Sequence, residues 1–125
     1  MLMKLRILIV EDDEVSAFVS KTVVEQSGYC DTPVIVDNGQ AALDYLNANE
    51  VDLVLLDISM PVLDGFQFMD LKKTKYPNIL GPVVMLSSSD REQEQVLMKS
   101  YPEILDYSMK PLKKDFLSSV VNRLN

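Results

Sequence analysis

The chain has 125 residues, 47% of them hydrophobic, with 12 basic and 19 acidic side chains and a formal net charge of −7. That length fits one domain with its own core, and the acidic balance argues against a general nucleic-acid binder, which needs a basic face. No run approaches the roughly 18–20 apolar residues of a membrane span, the start lacks a signal-peptide cleavage region, and the only cysteine is Cys30, so the expected location is the cytoplasm, without membrane contact.

Leu5 to Val10, LRILIV, reads as a first buried strand, followed by the acids Glu11-Asp12-Asp13-Glu14. Val15, Phe18, Val19 and Val23 recur at helical spacing, and Gly28 is placed to end that helix. Val34-Ile35-Val36 forms a short second strand after Pro33. Asn38-Gly39 marks a turn or helix start, and Ala41 to Leu46 reads as a second helix. Val51 to Gly65, VDLVLLDISMPVLDG, is the centre of the chain: an apolar strand, Asp52 to Leu56, breaking abruptly at Asp57. A continuous apolar run suits a strand buried on both faces of a parallel sheet.

A third helix is expected from near Asp64 to about Lys75, with Phe66, Met69 and Leu71 available for burial and Pro77 ending it. Pro82 to Leu86 reads as a fourth strand, ending in Ser87-Ser88-Ser89. Asp90 is placed to cap a largely polar helix from Arg91 to about Ser100. Ile104 to Met109 is a fifth strand, followed by Lys110-Pro111. Leu112, Phe116, Leu117, Val120, Val121 and Leu124 then give a last helix a clean apolar stripe. Strands alternating with helices predict a flavodoxin-like, doubly wound α/β fold: five parallel strands in the order 2-1-3-4-5, with helices on both faces. The expected organisation is one domain over residues 1–125, with no output domain.

That order makes the first, third, fourth and fifth strands neighbours, about 4.8 Å apart, so their carboxyl ends share one edge. Glu11 to Asp13, Asp57, Ser87 and Lys110 then converge. Clustered carboxylates repel, which raises their pKa values or recruits a cation. A hard divalent ion, Mg²⁺, suits such oxygen ligands and accepts a phosphate oxygen as well. Lys110 could neutralise an incoming anion and Ser87 could donate a hydrogen bond to it. A carboxylate can itself take a phosphoryl group as nucleophile.

ILIVEDDE, DLVLLDISMPVLDG, PVVMLSSS and DYSMKP, in this order and spacing, make the chain resemble a response-regulator receiver domain of two-component signalling. The resemblance covers essentially the whole chain and implies that Asp57 accepts a phosphoryl group from a phosphohistidine. It implies Mg²⁺ held by Asp12, by Glu11 through water, by Asp57 and by the Ser59 backbone carbonyl. The three-acid run also allows the pair Asp12-Asp13, but Glu11-Asp12 directly follows the last apolar residue, Val10. Ser87 matches the family's hydroxyl position, Lys110 its lysine, with a cis bond to Pro111, and Tyr107 its aromatic switch. Ser59 and Ser89 match variable positions that tune hydrolysis of the aspartyl phosphate. The chain would catalyse only its own phosphoryl uptake and loss.

Each residue alone has a plainer reading. Asp57 could be a turn residue, Glu11 to Glu14 a helix N-terminus favouring negative charge, Lys110 a solvated charge, and Tyr107 a half-buried strand residue. Their ordered combination outweighs those readings for Asp57.

The implied role is a phosphorylation-activated switch, monomeric or dimerising on phosphorylation. Its partners would be a histidine kinase or histidine phosphotransfer protein, and a downstream protein bound through the Arg91 to Asn125 face. The alternative is a phosphorelay intermediate that passes the group on to a histidine phosphotransfer protein. An aspartyl-phosphate phosphohydrolase needs a second acid two residues after the nucleophile, where this chain has Ser59. A flavin module needs a Ser/Thr/Gly-rich loop where this chain has four acids.

Overall fold

A computed structural model describes residues 4–60, 63–77, 81–88 and 92–124. Its elements alternate throughout: β1 Ile7–Val10, α1 Glu14–Ser27, β2 Val34–Val36, α2 Gly39–Ala48, β3 Leu53–Asp57, α3 Gly65–Lys75, β4 Val83–Ser87, α4 Glu92–Met98, β5 Ile104–Met109 and α5 Lys114–Leu124. All strand pairs are parallel, in the order β2-β1-β3-β4-β5. The doubly wound sheet expected from the alternation is present.

The apolar runs of β1, β3 and β4 are continuous because each of these strands feeds two cores, with successive side chains pointing to opposite faces. Leu8, Val10, Val54, Leu56, Val83 and Met85 pack with α2 and α3 through Ala42, Leu43, Phe68 and Met69. Ile7, Ile9, Leu53, Leu55, Val84 and Leu86 pack on the other face with Val24 of α1 and Leu117, Val120 and Val121 of α5. The α5 stripe therefore buries as its spacing predicts. Phe68, fully buried, is a core residue that the α3 pattern did not suggest, whereas Phe66 and Leu71 are only half-buried. Removing the Phe68 ring would cost about 3–5 kcal/mol.

The apolar residues of α1 divide in an unexpected way. Ala17, Ser20 and Val24 are buried, while Val15 and Phe18 are 71% and 68% exposed. The helix pattern is real, but its first two large apolar residues face outward. Gly28 ends the helix at φ +81, a left-handed conformation that favours glycine.

At the start of α3, Asp64 accepts from the Gln67 backbone N–H at 2.8 Å, and the Gln67 side chain returns a bond to the Asp64 backbone. The seven-residue α4 has no buried residue and closes through tight bonds such as Ser100 N–H to Leu97 C=O, 3.0 Å. The expected cap Asp90, together with Ser89 and Arg91, lies outside the described residues. No helix among the described residues is long and apolar enough to cross a membrane.

Lys72 was not foreseen as a core residue. Its side chain is 3% exposed and pairs with Glu103, which is 47% exposed. The Tyr101 hydroxyl donates to Asp70 at 2.8 Å, tying the same segment before β5 to α3.

Candidate functional site

The strand register builds the site. Val10 lies beside Leu56 and Asp57 beside Leu86. Glu11, one residue past β1, thus reaches the level of Asp57 at the end of β3. On the far side, Ser87 lies beside Met109, and the Lys110 backbone N–H donates to the Ser87 carbonyl at 2.6 Å. That bond brings the Lys110 side chain to the edge where the acids lie. The Lys110-Pro111 bond is cis, as the resemblance implied.

Glu11 and Asp57 are buried, while Asp12 is exposed. One carboxylate oxygen from each of the three lies within 4.8 Å of the others. The Lys110 ammonium pairs with Glu11 and lies 3.2 Å from Asp57 Oδ1. The Ser59 backbone N–H donates to the same Oδ1 at 3.3 Å. Asp13 does not join this group. It caps α1, accepting from the Ser16 backbone N–H at 2.8 Å, and that bond holds its carboxyl below the ordinary range. Of the three acids after β1, Glu11 and Asp12 are the two grouped with Asp57.

The electrostatics follow from burial and crowding. Desolvation, and then the neighbouring Asp57 carboxylate, push Glu11 up to about 7, against the opposing pull of Lys110. Burial lowers the Lys110 pKa, but Glu11 and Asp57 outweigh it and hold the ammonium above its ordinary value. Three grouped carboxylates, two of them paired with one ammonium, are an oxygen-rich, anion-excess donor set, which fits a hard divalent cation. Glu11, Asp12 and Asp57 are the side chains that could hold it.

The close approach of α3 completes the wall behind Asp57. The Gly65 N–H donates to the Ile58 carbonyl at 2.8 Å. A Cβ on Gly65 would stand 3.0 Å from Ile58 Cα and 3.2 Å from the Asp57 carbonyl oxygen. Glycine lets the helix sit this near the strand end without displacing that backbone.

The family's sequence profile, described as "Response regulator receiver domain", matches residues 7–122. The chain belongs to the response-regulator receiver family. It is 42% identical over 95 residues to histidine kinase 5 of Arabidopsis thaliana, covering 72% of this chain and 10% of that protein. It is 30% identical over 95 residues to the alkaline phosphatase synthesis transcriptional regulatory protein PhoP of Bacillus subtilis, covering 76% of this chain and 38% of that protein. This receiver therefore spans 10% and 38% of the lengths of these two relatives. A two-component response regulator from Cytophaga hutchinsonii superposes with a TM-score of 0.89 at 26% identity, over 98% of both chains. A receiver domain of a histidine kinase from Syntrophus aciditrophicus gives 0.76 at 32% identity, over 96% of this chain and 89% of that one.

Ser87 is fully buried, and its hydroxyl donates to Glu94 Oε1 of α4 at 3.0 Å. Tyr107 is half-buried and packs against the core on the α3 side of the sheet. Ser59 is exposed. Ser89 lies outside the described residues. Glu94 was missed because, within the polar run Glu92-Gln93-Glu94-Gln95, no local pattern separates the acid that faces the sheet from those that face water.

Proposed function

We propose that Asp57 accepts a phosphoryl group from a phosphohistidine and that this event switches the receiver's protein-binding surface. One observation carries the reading: the buried Asp57 carboxylate lies 3.2 Å from the Lys110 ammonium within an acidic group that could hold a cation. In the transfer, an Asp57 carboxylate oxygen attacks phosphorus and the P–N bond to the donor imidazole breaks. The electron pair stays on the imidazole, leaving an aspartyl phosphate. Hydrolysis then returns the carboxylate and inorganic phosphate. Lys110 neutralises charge on the acceptor and on the phosphoryl oxygens, and the protein's contribution is positioning and electrostatics. Mg²⁺ bound by Glu11, Asp12, Asp57 and the Ser59 carbonyl would supply further neutralisation of phosphoryl charge.

The phosphodonor face is assigned to α1 and the segment after β5. A groove of about 350 Å³ there is lined by Val15, Ser16, Val19, Ser88, Lys110 and Pro111, and Val15 in that lining is exposed. A helical partner carrying a phosphohistidine, from a histidine kinase or a phosphotransfer protein, would cover this apolar rim. The downstream protein is assigned to α4, β5 and α5, where Val96 and Leu97 are 59% and 48% exposed. The two ends of that predicted face, Arg91 and Asn125, lie outside the described residues. The proposed location is the cytoplasm, in keeping with the buried free thiol of Cys30.

The test is phosphorylation by acetyl phosphate or a phosphorylated kinase, read by intact-protein mass. Wild type should gain one phosphoryl group with Mg²⁺ and lose that ability in chelator, and Asp57→Asn should gain none. Labelling of Asp57→Asn at the wild-type level would remove Asp57 as the acceptor.

A further inference from the structure

The Ser87–Glu94 hydrogen bond has a consequence for the switch. Ser87 is fully buried at the end of β4, and its Oγ donates to Glu94 Oε1 at 3.0 Å. A serine hydroxyl has one proton, so it donates to one acceptor at a time. If Ser87 is to donate to a phosphoryl oxygen on Asp57, it must withdraw that proton from Glu94. The acceptor it leaves is a carboxylate, and hydrogen bonds to charged groups are the stronger kind.

We infer that Glu94 is a positioning residue that holds the Ser87 hydroxyl in its resting direction and so opposes occupancy of the phosphoryl site. This rests on the reading of Asp57 as the acceptor and adds a residue of α4 to the same chemistry. Two anions, the Glu94 carboxylate and the phosphoryl group, compete for one hydroxyl proton. The competition is reciprocal: whatever the Ser87–Glu94 bond costs the phosphorylated state, phosphorylation costs that bond. The link reaches α4 directly, and α4 is held loosely, with no buried residue of its own. Breaking the bond therefore releases a tether on an exposed helix.

Geometry separates this role from a general charge effect. Glu92 and Glu94 are both acids in the first turn of α4, yet Glu94 is the one bonded to the hydroxyl. Neutralising either removes one negative charge from the helix, but only changes at Glu94 alter the hydroxyl's acceptor.

The test measures binding of beryllofluoride, a phosphoryl mimic, in the presence of Mg²⁺ by calorimetry. Removing the acceptor in Glu94→Ala should tighten binding about tenfold, the size of one charge-assisted bond. Glu94→Gln keeps a neutral acceptor oxygen and should tighten it by only about threefold. Glu92→Gln should leave the constant unchanged. In a Ser87→Ala background, Glu94→Ala should add nothing, because no hydroxyl remains to release. Equal tightening by Glu94→Ala with and without Ser87, or by Glu92→Gln and Glu94→Gln alike, would overturn the inference in favour of a plain charge or helix-loosening effect. No beryllofluoride binding by the wild type would instead overturn the acceptor reading, and this inference with it.

Discussion

Lys110, one residue past the last strand, places its ammonium 3.2 Å from Asp57, the residue that ends the third. The two lie 53 positions apart in a chain whose sheet sets β4 between their strands. The same ammonium pairs with Glu11, so one cation compensates two carboxylates that are each 4% exposed.

Lys110→Ala should therefore destabilise the fold by about 2–4 kcal/mol at pH 8, because it leaves two buried carboxylates without their counter-charge. At pH 5 the loss should be smaller, since Glu11 takes up a proton there. Urea unfolding at the two pH values checks this. An equal loss at both would mean that Lys110 stabilises through packing alone.

Glu11 titrates near 7 in the folded chain, against an ordinary 4.5. Between those values the folded state holds a proton that the unfolded state has released. Its contribution to stability is therefore full below about pH 4.5 and is lost as pH rises through about 7. In chelator, Glu11→Gln should flatten the decline of stability between pH 5 and 8 by on the order of 1–2 kcal/mol after solvent screening. Chemical denaturation of both proteins across that range measures it, and parallel curves would remove Glu11 as the source.

Gly65→Ala tests how the wall behind Asp57 is built. The new Cβ would meet backbone at 3.0 Å, and backbone cannot turn aside as a flexible side chain can. A cost of about 1–3 kcal/mol is expected, with slower phosphoryl uptake as the segment after β3 shifts. Thermal unfolding and acetyl phosphate kinetics give the two readouts. A variant with normal stability and normal rate would show that α3 has room to move.

The buried Lys72 and half-exposed Glu103 join α3 to the segment before β5. Glu103→Gln should cost about 1–2 kcal/mol, because it weakens the compensation of a desolvated ammonium. In a Lys72→Met background the same change should cost almost nothing. The double-mutant cycle gives the coupling directly, and additive effects would show that the pair is not a stabilising unit.

Fold and acidic site were legible for the same reason. Parallel strands covered on both faces must be apolar along their whole length, so LRILIV, DLVLL and PVVML announce themselves. Each ends where the chain leaves the core and polarity returns, which is where Asp57, Ser87 and the Glu11-Asp12 pair stand. Burial on α1 and α3 was less legible. Helix periodicity shows that a face exists without showing which neighbour covers it, so the exposed Val15 and Phe18 and the buried Phe68 and Lys72 were not anticipated.

The fifth strand marks the boundary. Val83 pairs with Ile104, but Val84 pairs with Asp106, leaving Leu105 as an extra residue in β5. Because side chains alternate along a strand, that one residue reverses every later facing. Tyr107 lies beside Met85 and packs on the α3 side of the sheet, while Asp106 turns to the other face and pairs with Arg123 of α5. The amino-acid order alone determined the strands, their terminal acids, the lysine and the family to which the chain belongs. Only the tertiary structure decided that Tyr107 and the Ser87 hydroxyl face the α3–α4 side, with Ser87 bound to Glu94. Both depend on register and on packing between distant segments, which no local pattern encodes.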